Sequence, residues 1–137
     1  MRLKQNREQG SHEVPFVCPE CSAKSLRITD RLELPPDSRS DEITLQVVSC
    51  SDCGFEALAV YEESRRGPLG DESFHHTGYY LNREDLDALK GKIRRCPKPK
   101  DHRCRCASHR SLEHRDSSGR WNALDHIAYD GVFELRL

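Results

Sequence analysis

Between Ser25 and Glu63 the hydrophobic residues fall into three short runs separated by turn chemistry. In SLRITDRLEL, Leu26, Ile28, Leu32 and Leu34 alternate with polar residues, the period-two signature of a half-buried strand. PPDSRSDE follows, and its Pro, Ser and Asp content predicts a turn. EITLQVVS alternates again, with Ile43, Leu45 and Val47 on one face. FEALAVYEE is apolar on both faces, which predicts a strand inside a sheet. SRRGPLGDESFHHTG has the composition of a linker. NREDLDALKGKIRR then places Leu86, Leu89 and Ile93 on one helical stripe. Asn82 suits the N-cap, Asp85 the N3 position, and Leu81 with Leu86 a hydrophobic staple. Pro97 stops this helix at about Cys96. At the end, HIAYDGVFELRL reads as a short hairpin turning at Asp130-Gly131, with Phe133, Leu135 and Leu137 alternating.

The pattern predicts a small α+β protein. A polar tail spans residues 1–13 and a three-stranded antiparallel ribbon residues 14–63. A linker spans 64–80, and residues 81–137 hold the helix, a loop and the hairpin. The chain has 137 residues, of which 33% are charged and only 35% hydrophobic. Such a composition builds a modest core, and small modules of this kind need staples. Seven cysteines are available for that purpose. MRLKQNREQG carries no apolar segment of a secretion signal, and no apolar run reaches the roughly 20 residues of a membrane helix. The expected setting is cytoplasmic, without a membrane partner. There disulfides are rare and paired cysteines bind metal instead.

Two CxxC pairs are the strongest motif. Cys18-Pro-Glu-Cys21 and Cys50-Ser-Asp-Cys53 each allow two thiolates to reach one ion, and zinc takes four such ligands in a tetrahedron. Gly54 suits the tight backbone of the second knuckle. Four sulfurs leave no open position, so this zinc site is structural and folds the ribbon. Iron is the competing metal for four thiolates. Residues 18–63 resemble zinc ribbons in general. They are also similar to the zinc-finger segment of the ZPR1 family, in the order CPEC, strand, Pro-containing turn, EITLQVVS and CSDCGF. That resemblance implies the ribbon fold and Cys18, Cys21, Cys50 and Cys53 as zinc ligands. ZPR1 proteins pair the finger with a larger β domain and act on a translation elongation factor.

CPKPKDHRCRCASH, residues 96–109, is the second constellation. Cys96, Cys104 and Cys106 lack one ligand for a tetrahedron, and a histidine would supply it. His109 is favoured because it continues the turn after Cys106, whereas the alternative, His102, would crowd Cys104. His114 is a third choice. The expected zinc content is therefore one ion, or two if this site fills.

Charge is concentrated on the same stretch. Residues 90–120 hold 11 Lys and Arg against 3 Asp and Glu, although the whole chain carries −1. Lys98, Lys100, Arg103, Arg105 and Arg110 are candidate contacts to phosphates of a nucleic acid or nucleoprotein. Alternatively this charge offsets the thiolates and pairs with the acidic first half, which suits a protein–protein adaptor. Residues 90–120 contain no Phe, Tyr or Trp, so base stacking is not expected of them.

Catalytic signals are sparse, and the expected protein is not an enzyme. His75-His76 in the linker could join a metal. Leu124-Asp125-His126-Ile127 resembles the Asp-His of HNH nucleases, but the Asn and His that family needs downstream do not follow. A hydrolase or nuclease would require water in place of a fourth protein ligand at the second site.

Overall fold

A computed structural model describes residues 14–64, 73–125 and 127–137. Five strands form one antiparallel sheet in the order β1-β2-β3-β4-β5. They are β1 (Leu26–Leu34), β2 (Glu42–Cys50), β3 (Glu56–Ser64), β4 (Ser73–Tyr79) and β5 (Val132–Glu134). Two helices, α1 (Arg83–Arg95) and α2 (Ala107–Leu112), fall between β4 and β5.

The three strands expected from alternation are present, but β1 does not keep one face. Ile28 pairs with Val48, whereas Asp30 pairs with Val47, so the register slips at Thr29. This β-bulge inverts the alternation. Before it, Leu26 and Ile28 join Val48, Cys50, Ala57 and Ala59 in a small core next to the CxxC pairs. After it, Leu32 and Leu34 join Ile43, Leu45, Val47, Leu58 and Val60 in a larger core that also takes Leu86, Leu89 and Ile93 of α1. β3 therefore buries Ala57 and Ala59 in one core and Leu58 and Val60 in the other, as its two-sided apolar pattern demands.

Two expectations are corrected. Residues 73–79 of the supposed linker are β4, paired with β3 from Leu58↔Tyr79 to Ser64↔Ser73. Ser73-Phe-His-His-Thr-Gly-Tyr has weak alternation, and its neighbour β3, not its own propensity, holds it extended. The C-terminal hairpin does not form locally either. β5 pairs with β4 through Thr77↔Glu134, Gly78↔Phe133 and Tyr79↔Val132. Asp130 N–H donates to the Tyr80 carbonyl, and Tyr80 N–H to that of Gly131. A Cβ at Gly78 would fall inside the Phe133 ring, so glycine is what lets β5 dock.

Backbone hydrogen bonds also carry the ladder from β4 round to β1. Leu135 N–H donates to the His76 carbonyl, and Val17 N–H to that of Arg136. Phe16 and Leu26 exchange both of their bonds. Phe16, Phe133 and Leu135, which these segments carry, pack against the smaller core.

α1 begins as predicted. Asn82 Oδ1 accepts from Asp85 N–H at 2.7 Å, and Leu81 packs beside the core that holds Leu86. The helix ends at its C-cap, Cys96. Arg94 makes a paired contact to Asp30 on β1, and Lys90 and Arg83 reach Glu56 on β3. Asp37 anchors the β1–β2 turn. Its Oδ1 accepts from Arg39 and Ser40 N–H, and its Oδ2 accepts from Trp121 N–H at 2.6 Å. Burial alone would raise this carboxyl, but the N–H groups of Trp121, Arg39 and Ser40 hold it below the ordinary aspartate value.

Candidate metal centres

The two CxxC knuckles are near copies of each other. In the first, Ser22 N–H donates to the Cys18 carbonyl and Cys18 N–H to that of Ala23. In the second, Gly54 N–H donates to the Cys50 carbonyl and Cys50 N–H to that of Phe55. The residue after each second cysteine lies in the left-handed region, Ser22 at φ 68° and Gly54 at φ 81°. Serine carries a small strain there that glycine does not. β1 and β2 hold the knuckles together, since Leu26 pairs with Cys50.

Cys18, Cys21, Cys50 and Cys53 offer sulfurs that all lie within 4.8 Å of one another. Cys18–Cys53 is 3.6 Å and Cys21–Cys50 is 3.7 Å between Sγ atoms. Sulfurs 2.3 Å from a tetrahedral zinc would sit about 3.8 Å apart, so the set fits that ion. All four are free thiols. Cys18 and Cys50 are buried, whereas Cys21 and Cys53 face solvent. Burial works against ionisation of Cys50, but N–H groups of Cys53 and Asp52 bring its thiol down to about 7.

The second group is Cys96, Cys104, Cys106 and His109, again within 4.8 Å of one another. Cys96 is the C-cap of α1, a fixed point at the end of a rigid element. Cys106 is the N-cap of α2, and its Sγ accepts from His109 N–H at 3.4 Å. Sequence patterns missed α2, because ASHRSL is six polar-rich residues with no apolar stripe. The available signal was the i, i+3 relation of Cys106 and His109, which puts thiol and imidazole on one side of a helical turn.

His109 Nδ1 lies 3.2 Å from Cys96 Sγ and 3.5 Å from Cys106 Sγ, and Cys96 lies 3.8 Å from Cys104. A tetrahedral zinc would place nitrogen and sulfur ligands about 3.6 Å apart. The other ring nitrogen is also engaged. His109 Nε2 donates to the Glu33 carbonyl at 2.7 Å, which leaves Nδ1 with the lone pair a metal needs. The ring is fully buried. Hydrogen bonding from His109 N–H draws the Cys106 thiol down to about 6, while burial pushes Cys96 up to about 11. Thiols so divided repel as a fully ionised set, and a divalent cation relieves that repulsion.

His102 is exposed and stands outside this group, as does the exposed His114, whose Nδ1 is 2.7 Å from Asn122 Oδ1. His75 and His76 belong to β4 and to neither metal group. His76 Nε2 bonds Gln46 at 2.6 Å, and burial, assisted by Arg31, lowers it to about 4. His126 of the nuclease-like tetrapeptide lies outside the described residues.

Glu33 links this centre to the sheet edge. Its carbonyl accepts from the imidazole N–H, and its own N–H donates to the Pro99 carbonyl at 2.7 Å. The two centres thus sit toward opposite ends of β1, from Leu26 to Glu33, separated by about 23 Å of strand.

The cations of the stretch include both engaged and exposed side chains. Lys90 and Arg94 are paired with carboxylates of the sheet, and Arg115 donates to the Pro36 carbonyl. Lys98, Lys100, Arg103, Arg105 and Arg110 are exposed, and among the described residues none is in an ion pair. Among the described residues no helix is long and apolar enough to cross a membrane.

Fold and ligand sets together define a small antiparallel-sheet protein with two four-ligand groups that could each hold a metal ion. No family model, curated protein or solved structure matches the chain.

Proposed function

We propose that the protein is a non-enzymatic zinc module that docks on nucleic acid, or on a nucleoprotein surface, through the cations of residues 98–110. One observation carries this reading. Arg103 and Arg105 flank Cys104, Arg110 follows His109, and Lys98 lies two residues after Cys96. Because the four ligand atoms converge within 4.8 Å, neighbouring cations are drawn around one point while their side chains remain exposed. Each group supplies four protein ligands, which suits structural zinc and leaves no coordination position for water. The resemblance of residues 18–63 to the ZPR1-type finger adds to the ribbon part of this reading and says nothing of the partner.

Five phosphate contacts would give a slope of log affinity against log salt of about −4.5 on duplex. The triple variant Lys100→Gln/Arg103→Gln/Arg105→Gln should reduce that slope by about 2.7 and weaken binding uniformly across sequences. Retention on RNA and DNA that is unchanged in this variant would refute the proposal. An adaptor reading draws on Phe74, which is 66% exposed and stacked on Tyr61 at 6.2 Å. Capture of one defined protein that persists after nuclease treatment, and is lost in Phe74→Ala, would favour it instead.

A further inference from the structure

We infer that the second metal centre acts as a gate on docking, and that the docked partner is the phosphate backbone of a double helix. The inference rests on the nucleic-acid reading above and adds its regulation and its partner class.

The gate follows from what holds residues 97–106 in place. That stretch contains no helix or strand. Its backbone bonds are mostly local: Asp101 N–H to the Lys98 carbonyl, Cys104 N–H to that of Asp101, Arg103 N–H to Asp101 Oδ1 and Arg110 N–H to the Cys106 carbonyl, with Glu33 N–H to the Pro99 carbonyl reaching the sheet. A longer-range constraint is the convergence of Cys96, Cys104, Cys106 and His109. Without a metal, only those bonds act on the backbone on which Lys98, Lys100, Arg103 and Arg105 stand, and no cross-link fixes Cys104 and Cys106 against Cys96 and His109. With a metal, the loop would be cross-linked at two of its own positions, Cys104 and Cys106, to Cys96 at the end of α1 and to His109, whose ring is tied to the Glu33 carbonyl. Cations held in one array bind an array of phosphates without first being ordered, whereas scattered ones lose that advantage. The first centre has no such role, because its knuckles carry Pro19-Glu20 and Ser51-Asp52, with no cation between the ligands.

The partner class follows from what the surface lacks. Residues 90–120 contain no Phe, Tyr or Trp. Trp121, just beyond, is half-buried and donates its indole N–H to the Leu112 carbonyl at 2.7 Å. Bases of a single strand would find no large aromatic platform there. The start of α2 offers no free anion site, since the Cys106 thiol already caps it. What remains is point charge on a fixed scaffold, which suits the regular phosphates of a duplex.

The test is a cobalt titration of the metal-stripped full chain in the presence of a fluorescent 20-base-pair RNA duplex. Four-sulfur and three-sulfur-one-nitrogen cobalt sites absorb at different wavelengths, so the filling of each centre is read separately. Duplex affinity should rise at least about tenfold, and in step with the three-sulfur-one-nitrogen band. A single strand of equal length should bind more weakly at equal salt. Affinity that follows the four-sulfur band, or does not change during the titration, overturns the gate while leaving the docking proposal standing. If the fully loaded protein binds no duplex at any salt, the docking proposal falls and the gate with it. Equal or stronger binding of the single strand overturns the duplex assignment. Cys104→Ser/Cys106→Ser supplies a second measurement: loaded at the first centre alone, it should bind at least about tenfold more weakly than the wild type. Wild-type affinity in that variant would also refute the gate.

Discussion

His109→Cys isolates the side-chain contact between the second centre and Glu33 of β1. The variant keeps a fourth ligand, so metal can still fill the group, but it has no Nε2–H to give the Glu33 carbonyl. That donor is 2.7 Å from its acceptor and fully buried. An orphaned buried acceptor costs about 1–3 kcal/mol. Partners that orient metal ligands contribute about 10–100-fold in affinity, or about 1.4–2.8 kcal/mol, so the two routes agree. For 137 residues the unfolding entropy is about 0.29 kcal/mol/K, which converts that cost to a fall in Tm of about 3–10 °C. Competition with a chromophoric zinc chelator reads the affinity directly, with the four-cysteine centre as an internal reference. If His109→Cys holds its second zinc as tightly as the wild type and melts at the same temperature, Glu33 does not support the ligand. The account of how this centre is built would then be wrong.

Gly78→Ala should destabilise by about 1–3 kcal/mol in chemical denaturation, because its methyl enters the Phe133 ring. Adding Phe133→Leu should recover part of that loss. Asp37 has a folded pKa below its unfolded value of about 3.9, so its contribution is complete above that value and is lost as pH falls through the folded one. Asp37→Asn, which cannot accept from Arg39, Ser40 and Trp121 together, should cost about 1–3 kcal/mol at pH 7 and show a flatter stability profile below pH 4. In metal-stripped protein, brief treatment with a maleimide should label exposed Cys21 and Cys53 before buried Cys96. Mass mapping of the labelled peptides checks the order.

Apolar period and cap chemistry were enough to find β1, β2, β3 and α1, because each carries its own signal over nine or more residues. The CxxC pairs were equally plain, since their spacing is itself the geometry of a knuckle. β4 and β5 were not, because their extension comes from a neighbour: β5 is three residues long and depends on the space above Gly78. The bulge at Thr29 was invisible for a related reason. Leu26, Ile28, Leu32 and Leu34 read as one unbroken alternation, and only pairing with β2 shows that its two halves face different cores. At the second group the preference for His109 over His102 came from local spacing. The Glu33 carbonyl, 76 residues away in sequence, could not be seen from it.

The contacts at these centres also describe the chain as a cross-linked polymer. A metal on the first group would join Cys18 to Cys53, positions 35 apart, and one on the second would join Cys96 to His109, only 13 apart. Loop closure grows costlier as about 1.5RT ln n, so joining His109 to Glu33 across 76 residues costs about 1.6 kcal/mol more than joining it to Cys96. The short ring is therefore the cheapest to close and can form on its own before it meets the sheet. Folding in the presence of zinc then becomes the docking of one prefabricated ring onto a strand edge, rather than a search by 14 separate residues.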